Sequence, residues 1–425
     1  MQADIISQLR FDNPRINIAS VDRPNLVYRV MPRSNIISQI TEVLEKHSQE
    51  AGIIYCLRRK DVDDISARLN KMGVKNLPYH AGLSDEERHV NQERFIREEV
   101  NIIVATVAFG MGIDRSDIRF VIHAAMPKSI EHYHQETGRA GRDGLASYCY
   151  MFYGGGDFRV WDFFSQQSLN RQVMLDKLRK MYNFCTQPQC RHKVFVNYFG
   201  QEYGQFSCQA CDYCLGEVEM VDDALGIGQK ILNCVESVKY ENSQGFGAGY
   251  IANILKGNLT DQITRWAHNH NPNFAAMSSE TIVYLRYLIE QLIGQGFLAR
   301  QGEYDTLALT DSGQRLLNGE ITPILAKPLV KEKKQEIKIR QKAKKAADWA
   351  GVDEELFDLL RAKRAELARK QGVPAYVIFG DKSLKDMASV KPVTREDFSG
   401  IFGVGEHKLK IYAEPFMSVI RQYLK

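Results

Sequence analysis

The 425-residue chain carries 56 Lys and Arg against 52 Asp and Glu, a net charge of +4, with 44% hydrophobic and 25% charged residues. That composition is globular, with length for roughly two to four domains, and it excludes a polyanion binder that works through bulk charge; any nucleic-acid surface must come from local clustering. No apolar run reaches a membrane span and no basic-then-apolar export signal opens the chain. A cytoplasmic, reducing setting is therefore expected, in which the eight cysteines favour a metal over disulfides.

Residues 15–30 read as strand interrupted by the turn Arg23-Pro24-Asn25, followed by a helix over Ile36–Leu44. Gly52-Ile53-Ile54-Tyr55-Cys56 is a short apolar strand. Arg58–Met72 is an amphipathic helix with Val62, Ile65 and Leu69 on one face and Gly73 at its end. After the turn Tyr79-His80-Ala81-Gly82-Leu83, Ser84 caps a polar helix to Arg97. Asn101–Thr106 and Phe120–His123 are buried strands, a last strand lies near Tyr148–Phe152, and Gly154-Gly155-Gly156-Asp157 closes the unit. This alternation predicts an α/β domain with a parallel sheet and right-handed crossovers, whose ligands sit at the carboxyl ends of the strands. Two stretches follow strands and belong to that rim: Thr106 to Asp114, and Gln135-Glu136-Thr137-Gly138-Arg139-Ala140-Gly141-Arg142-Asp143-Gly144.

The second stretch is the most informative. A short helix over Ser129–Thr137, ending at Gly138, aims Arg139 and Arg142 the same way, since residues three apart share a face. A guanidinium stays charged and presents a planar fork suited to phosphate oxygens, and glycines allow close approach. A turn whose arginines pair with surface carboxylates is the competing reading, and the order of the surrounding blocks favours the former. Gly52–Cys56, Tyr79–Leu83, Ala105-Thr106 through Gly110-Met111-Gly112-Ile113-Asp114, and Gln135–Gly144 resemble, in that order, motifs IV, V and VI of superfamily 2 helicases, specifically of the RecQ family. Gln135 stands where many RNA helicases carry His. The resemblance implies a second RecA-like motor domain over residues 1–155. It implies that Arg139 and Arg142 sense the γ-phosphate of ATP, one of the two being the arginine finger, with Gln135 as a coupling residue and Gly112, Asp114 and Gly138 beside the nucleotide. It places Thr106 and His80 toward nucleic acid, although a lone histidine is equally a capped turn residue.

The chain contains no G-x-x-x-x-G-K-[ST] loop and no Asp-Glu-Ala-His-type acidic box for Mg²⁺. RecQ enzymes carry both in a first motor domain. ATP and Mg²⁺ are therefore expected only with that domain, in cis or in trans. The chain is then a fragment, a truncated frame or one subunit of a split enzyme, and alone it lacks ATPase and unwinding activity.

Cys190 is followed by Cys208-Gln209-Ala210-Cys211-Asp212-Tyr213-Cys214. Two C-x-x-C steps that share Cys211, with a fourth thiol, suit structural, tetrahedral Zn²⁺. The block, residues 156–220, also resembles the RecQ zinc-binding subdomain down to Asn197-Tyr198-Phe199-Gly200, where Cys190-Arg191 matches better than the extra thiol Cys185.

Over residues 221–322, helices at Ile227–Val238 and Phe246–Gly257, and one capped by Ser278 that carries Leu285, Leu288 and Leu292, precede a hairpin of Phe297–Arg300 and Leu307–Leu309. This winged helix resembles the RecQ C-terminal (RQC) domain, whose hairpin acts near the duplex junction. Tyr304 at the tip is then a candidate to stack on a base pair, against a plain surface tyrosine; Asn242, Lys256 and Arg265 are candidate phosphate contacts. Pro323 and Pro328 open a basic linker, 323–350. Residues 351–425 form a small all-α unit, with a Gly403-Val404-Gly405 turn, that resembles an HRDC domain, an auxiliary nucleic-acid module; Lys382, Lys385 and Lys391 are candidate contacts. Over essentially the entire chain, the resemblance is to the C-terminal portion of an ATP-dependent 3′→5′ DNA helicase acting on single strands and duplex junctions in repair, recombination and replication. The alternatives are a non-catalytic DNA-binding module, the C-terminal subunit of a split helicase, and an RNA helicase.

Overall fold

The computed structural model describes residues 7–8, 10, 15–109, 115–166, 170–238, 245–302, 304–327, 349 and 351–425. The Gly110–Asp114 loop, Asn242, Glu303 and nearly all of the basic linker beyond Lys327 lie outside these residues. In the first domain, strands β1 (Leu26–Pro32), β2 (Ala51–Tyr55), β3 (Leu77–Tyr79), β4 (Ile102–Ala105), β5 (Ile118–His123) and β6 (Ser147–Tyr153) form one sheet in the order β1-β6-β5-β2-β4-β3. Every neighbouring pair is parallel, so both faces must be covered. Helices α1 (Ile36–Lys46), α2 (Arg59–Lys71), α3 (Asp85–Ile96) and α4 (Ile130–Thr137) supply the crossovers.

Side-chain alternation sorts the strands into two cores. Ile53, Ile103 and Val121 join one, with Tyr133 of α4. Ile54, Val104 and Ile122 join the other, with Val43 of α1 and Val62 and Leu69 of α2. The α3 start is fixed by reciprocal bonds: Ser84 Oγ accepts the Glu87 N–H, and the Glu87 carboxylate accepts the Ser84 N–H. The first strand begins at Leu26 rather than near Arg15, because Arg23 and Asn25 bond elsewhere and leave Ile16 and Ile18 in solvent.

The Gly154–Asp157 stretch follows β6 and starts α5 (Gly155–Ser165). Asp157 accepts the N–H groups of Gly154 and Met126, each at 3.0 Å, and pairs with Arg33 at 2.6 Å, which caps a glycine-rich turn that propensity alone disfavours as helix. Helices α6 (Arg171–Thr186) and α7 (Arg191–Tyr198) follow. The cysteine module then joins the sheet edge: Tyr28 N–H donates to Ala210 O at 3.0 Å, and Asp212 N–H donates to Tyr28 O at 2.9 Å.

Strand β7 (Glu219–Met220) leads into a separate core of α8 (Ala224–Ser237), α9 (Ala248–Lys256), α10 (Asp261–Arg265) and α11 (Ile282–Gly294), the antiparallel hairpin β8 (Leu298–Gln301) and β9 (Thr306–Leu309), and α12 (Asp311–Leu317). The α11 cap is Thr281 rather than Ser278: its Oγ1 accepts the Tyr284 N–H at 3.2 Å. Strand β10 (Ala326–Lys327) pairs antiparallel with β7, and fully buried Gln291 holds the Ala326 backbone at both N–H and C=O. The last domain packs α13 (Glu354–Gln371), α14 (Ala375–Ile378), α15 (Asp381–Val390), α16 (Arg395–Ser399) and α17 (Glu406–Tyr423) around Phe379, Phe398 and Phe416. Among the described residues, no helix is long and apolar enough to cross a membrane.

Candidate nucleotide-sensing wall and metal centre

Helix α4 is capped by Ser129, whose hydroxyl accepts the His132 N–H, and ends at Gly138. Three residues on, Gly141 takes φ +57, and a Cβ there would lie 2.5 Å from Asn25 Nδ2 and 2.7 Å from Ser147 Oγ. Glycine is thus required for both conformation and space. The loop carbonyls are gathered by residues that precede β1. Arg23 donates to Ala140 O and Gly141 O at 3.2 and 2.8 Å, and Asn25 Nδ2 donates to Gly141 O and Leu145 O at 2.9 and 3.0 Å. Asp143 pairs with Arg119 at 2.5 Å. The loop is therefore held by its carbonyls and its one carboxylate.

Arg139 is half-buried where β2 and β5 end. Burial pushes the Tyr55 phenol up, and the neighbouring Arg139 charge pulls against that shift; the Tyr55 hydroxyl donates to Phe109 O at 3.1 Å. Behind them, buried His123 meets Glu136 at 2.7 Å and stacks on Tyr55 with ring centroids 5.2 Å apart. Arg139 Nε is buried with no hydrogen-bond partner among the described residues. A desolvated charged donor is costly when left unmade, so this atom marks where an acceptor belongs. Gln135 and Arg142 lie on the exposed side of the same turn, Gly138 is half-buried between them, and Gly112 and Asp114 lie outside the described residues.

Thr106 closes β4: its N–H donates to Tyr79 O at 3.1 Å, and its carbonyl accepts the Phe109 N–H at 3.0 Å. His80 is buried with both ring nitrogens engaged, Nε2 with Asp63 at 2.9 Å and Nδ1 accepting the Gly82 N–H at 3.1 Å, the geometry of a capped turn. Tyr304 is 85% exposed at the hairpin tip. The tip itself is braced, because the next residue, Asp305, pairs with Arg159 of α5 at 2.5 Å and faces Arg300 at 3.7 Å. Lys382 lies over the Phe402 ring at 3.9 Å and Lys385 over Trp349 at 4.1 Å. Lys256 donates to Ser278 O.

The Sγ atoms of Cys190, Cys208, Cys211 and Cys214 all lie within 4.8 Å of one another. Cys190 heads α7. Backbone N–H groups of Lys193, Ala210 and Cys214 approach Cys190, Cys208 and Cys211 sulfurs at 3.4–3.5 Å. Cys185 is outside this cluster, buried with its Sγ 3.5 Å from Met151 Sδ. Thiols this close cannot all ionise on their own: donation from Cys208 pulls the Cys190 thiol below the usual range, while the same contact pushes Cys208 above it. A divalent cation removes that conflict by ionising all four, so the donor set fits Zn²⁺.

The residues beside the cysteines anchor the module. Arg191 grips Asp212 bidentately at 2.9 and 3.1 Å, Arg29 grips Glu217 at 2.7 Å through two bonds, and His192 meets Asp22 at 2.6 Å. Sequence reasoning missed these partners, as it missed Arg23, Asn25 and the His123–Glu136 pair. The available signal was adjacency: Arg191 follows a ligand, Asp212 sits inside a C-x-x-C step, and Arg23-Pro24-Asn25 is an isolated polar turn before an apolar strand.

Four family models match consecutive segments: a helicase conserved C-terminal domain over residues 35–144, a RecQ zinc-binding region over 155–215, an RQC domain over 220–335 and an HRDC domain over 353–420. The ATP-dependent DNA helicase RecQ of Bacillus subtilis is 34% identical over 426 residues, which cover 99% of this chain and 68% of that protein. The chain belongs to the RecQ helicase family. RecQ of Pasteurella multocida is likewise 34% identical, with 99% of this chain covering 66% of that protein, and the RecQ-like DNA helicase BLM of Xenopus laevis is 28% identical, with 100% covering 33%. The chain thus spans about two thirds of the length of its bacterial RecQ relatives. Its parallel α/β unit is the RecA-like RecQ domain, followed by the zinc-binding, winged-helix RQC and HRDC domains.

Proposed function

We propose that this chain forms the ATP-sensing wall and the DNA-handling modules of a 3′→5′ ATP-dependent DNA helicase, and that it turns over ATP only against a second RecA-like domain. The observation that carries the reading is Arg139: a half-buried guanidinium at the carboxyl ends of the strands, with a buried Nε that lacks a partner among the described residues. In phosphoryl transfer, charge spreads over the oxygens of the transferring group, and a positioned arginine that meets it contributes roughly 10³–10⁵ in rate. Tyr55 and the His123–Glu136 pair hold Arg139 in place, which favours it over exposed Arg142 as the finger. Arg142 and Gln135 then report nucleotide state from the same turn, with Gly112, Asp114 and Gly138 lining its nucleotide side.

The 425 residues contain no phosphate loop, so the β- and γ-phosphates of ATP and the Mg²⁺ ion are assigned to the facing domain, in cis or in trans. Thr106 couples the sheet rim to DNA, and His80 braces the turn beside it rather than meeting DNA itself. Tyr304, carried on a tip braced by Arg159, stacks against the end of a duplex at a junction. Lys382 and Lys385 meet phosphates from the HRDC domain. Zn²⁺ on the four cysteines is structural, a four-point cross-link rather than a reaction centre. The bacterial relatives, named as ATP-dependent DNA helicases, support DNA as the substrate, and we assign repair, recombination and replication as the setting on the family resemblance. ATP turnover by the purified chain, with and without single-stranded DNA, tests the reading. Background rates are expected in both; DNA-stimulated turnover by the chain alone would overturn it.

A further inference from the structure

Glu98 stands where a glycine is usual. Beyond the end of α3, Glu98 N–H donates to Phe95 O at 3.2 Å and Glu99 N–H donates to Arg94 O at 3.0 Å, the paired bonds that close a helix through a left-handed residue. Residue 98 accordingly has φ +61, a conformation unfavourable for any residue with a Cβ. Its carboxylate is nonetheless kept and used. Only 9% exposed, it meets the guanidinium of Arg364 through both oxygens, at 3.2 and 3.3 Å.

Arg364 belongs to α13 of the HRDC domain and is itself 1% exposed. It also donates to Phe379 O and to Asp381, each at 2.9 Å. Three residues earlier on the same helix, Arg361 reaches Gln49 O at 3.5 Å, and Gln49 is likewise left-handed, with φ +67. The turn that presents Glu98 is built to stay put: fully buried Arg115, paired with Asp117, donates to Phe95 O and Val100 O on either side of it. Residues 49–50, 98–100 and 117 all lead into strands β2, β4 and β5. The contact is therefore on the amino-end face of the sheet, opposite the rim that carries Arg139 and Thr106.

We propose that this face is a docking seat for the chain's own HRDC domain, held as an electrostatic latch that parks the domain away from the nucleotide rim and opens when the Glu98–Arg364 pair is broken. Among the described residues, the hydrogen bonds between the two domains are those of Arg364 and Arg361. The HRDC core contains no motor residue, so the domain keeps its own packing when it leaves. Arg364 retains Asp381 and Phe379 O on release, so no buried charge is stranded, and Glu98 returns to water.

Small-angle scattering of the full chain reads the latch directly. The pair is buried and in contact, so salt screens it little, and the wild type should be compact. Glu98→Gly removes the carboxylate and the left-handed strain together; it should show an expanded radius with an unchanged or raised melting temperature. Glu98→Gln, which keeps the backbone demand and loses only the charge, should expand as well. A wild type that is already expanded, or variants that scatter like the wild type, would overturn the proposal.

Discussion

At the β1 edge, the zinc module gives the motor sheet two backbone hydrogen bonds through Tyr28, an acceptor for the Val30 N–H in Asp212, and the buried pairs Arg29–Glu217 and His192–Asp22. At the amino ends of the strands, the HRDC domain reaches the same sheet through Arg364 and Arg361. Both joints use buried arginines, yet they differ in what separation leaves behind. Arg29 grips Glu217 through two bonds of 2.7 Å, and losing the carboxylate would strand the ion in a desolvated site, a cost that breaking buried pairs regularly shows. Arg364 keeps Asp381 within its own domain. On the proposed latch, what each arginine keeps after separation, rather than the presence of an ion pair, decides which joint holds and which releases.

The largest expected effect tests the permanent joint. Structural Zn²⁺ binding is worth about 10–16 kcal/mol in small zinc folds, and here the metal loop also covers the β1 edge. Chelation, or Cys211→Ser, should therefore lower the melting temperature of the motor domain along with the zinc module, seen as one shifted transition together with loss of bound zinc. An unchanged motor transition would reduce the module to an appendage. Next comes Asp212→Ala, which leaves Arg191 buried without its carboxylate and should cost about 3–5 kcal/mol in urea unfolding, whereas Glu98→Gln should cost far less.

A smaller effect concerns acid. Burial raises Asp117, but the charge and two hydrogen bonds of Arg115 outweigh it and hold the carboxyl well below the usual carboxylate range. A depressed folded-state pKa contributes stability that is present above the unfolded value, about 3.9, and is lost as pH falls through the folded one. Asp117→Asn should flatten that acid limb of the motor's stability profile while the HRDC transition keeps its own pH dependence. The smallest stability change is expected for Tyr304→Ala, within about 0.5 kcal/mol for an exposed residue, but stacking is worth about 1–3 kcal/mol per base. Affinity for a forked DNA duplex should therefore fall without a change in melting; equal affinity would leave Tyr304 a surface tyrosine.

What the sequence disclosed was local. Strand–helix alternation, the shared C-x-x-C steps and the hairpin around Gly302 are each encoded within a few residues, and each falls where expected; the Arg139–Arg142 spacing did not disclose that Arg139 is half-buried and Arg142 exposed, with left-handed Gly141 between them. What it concealed depends on partners far along the chain. Gly154–Asp157 carries no local mark of the Arg33 and Met126 contacts that Asp157 makes. Arg23 and Asn25 look like strand punctuation until they gather the carbonyls of Ala140, Gly141 and Leu145. Glu98 and Arg364, 266 positions apart, carry no local mark of their meeting. His80, which residue type leaves open between contact and turn, is engaged at both nitrogens.

The decisive measurement is ATP turnover when the purified chain is mixed with a separately produced RecA-like domain that carries the phosphate loop and Mg²⁺ carboxylate of a RecQ relative, in the presence of single-stranded DNA. Turnover should appear in the mixture and in neither component alone. Arg139→Ala in this chain should then reduce it by roughly 10³–10⁵ while nucleotide binding by the partner domain persists, and Arg142→Ala should reduce it less. Turnover by the chain alone, or a mixture whose rate survives Arg139→Ala, would contradict the assignment of Arg139 as the residue that completes the ATP site from this wall.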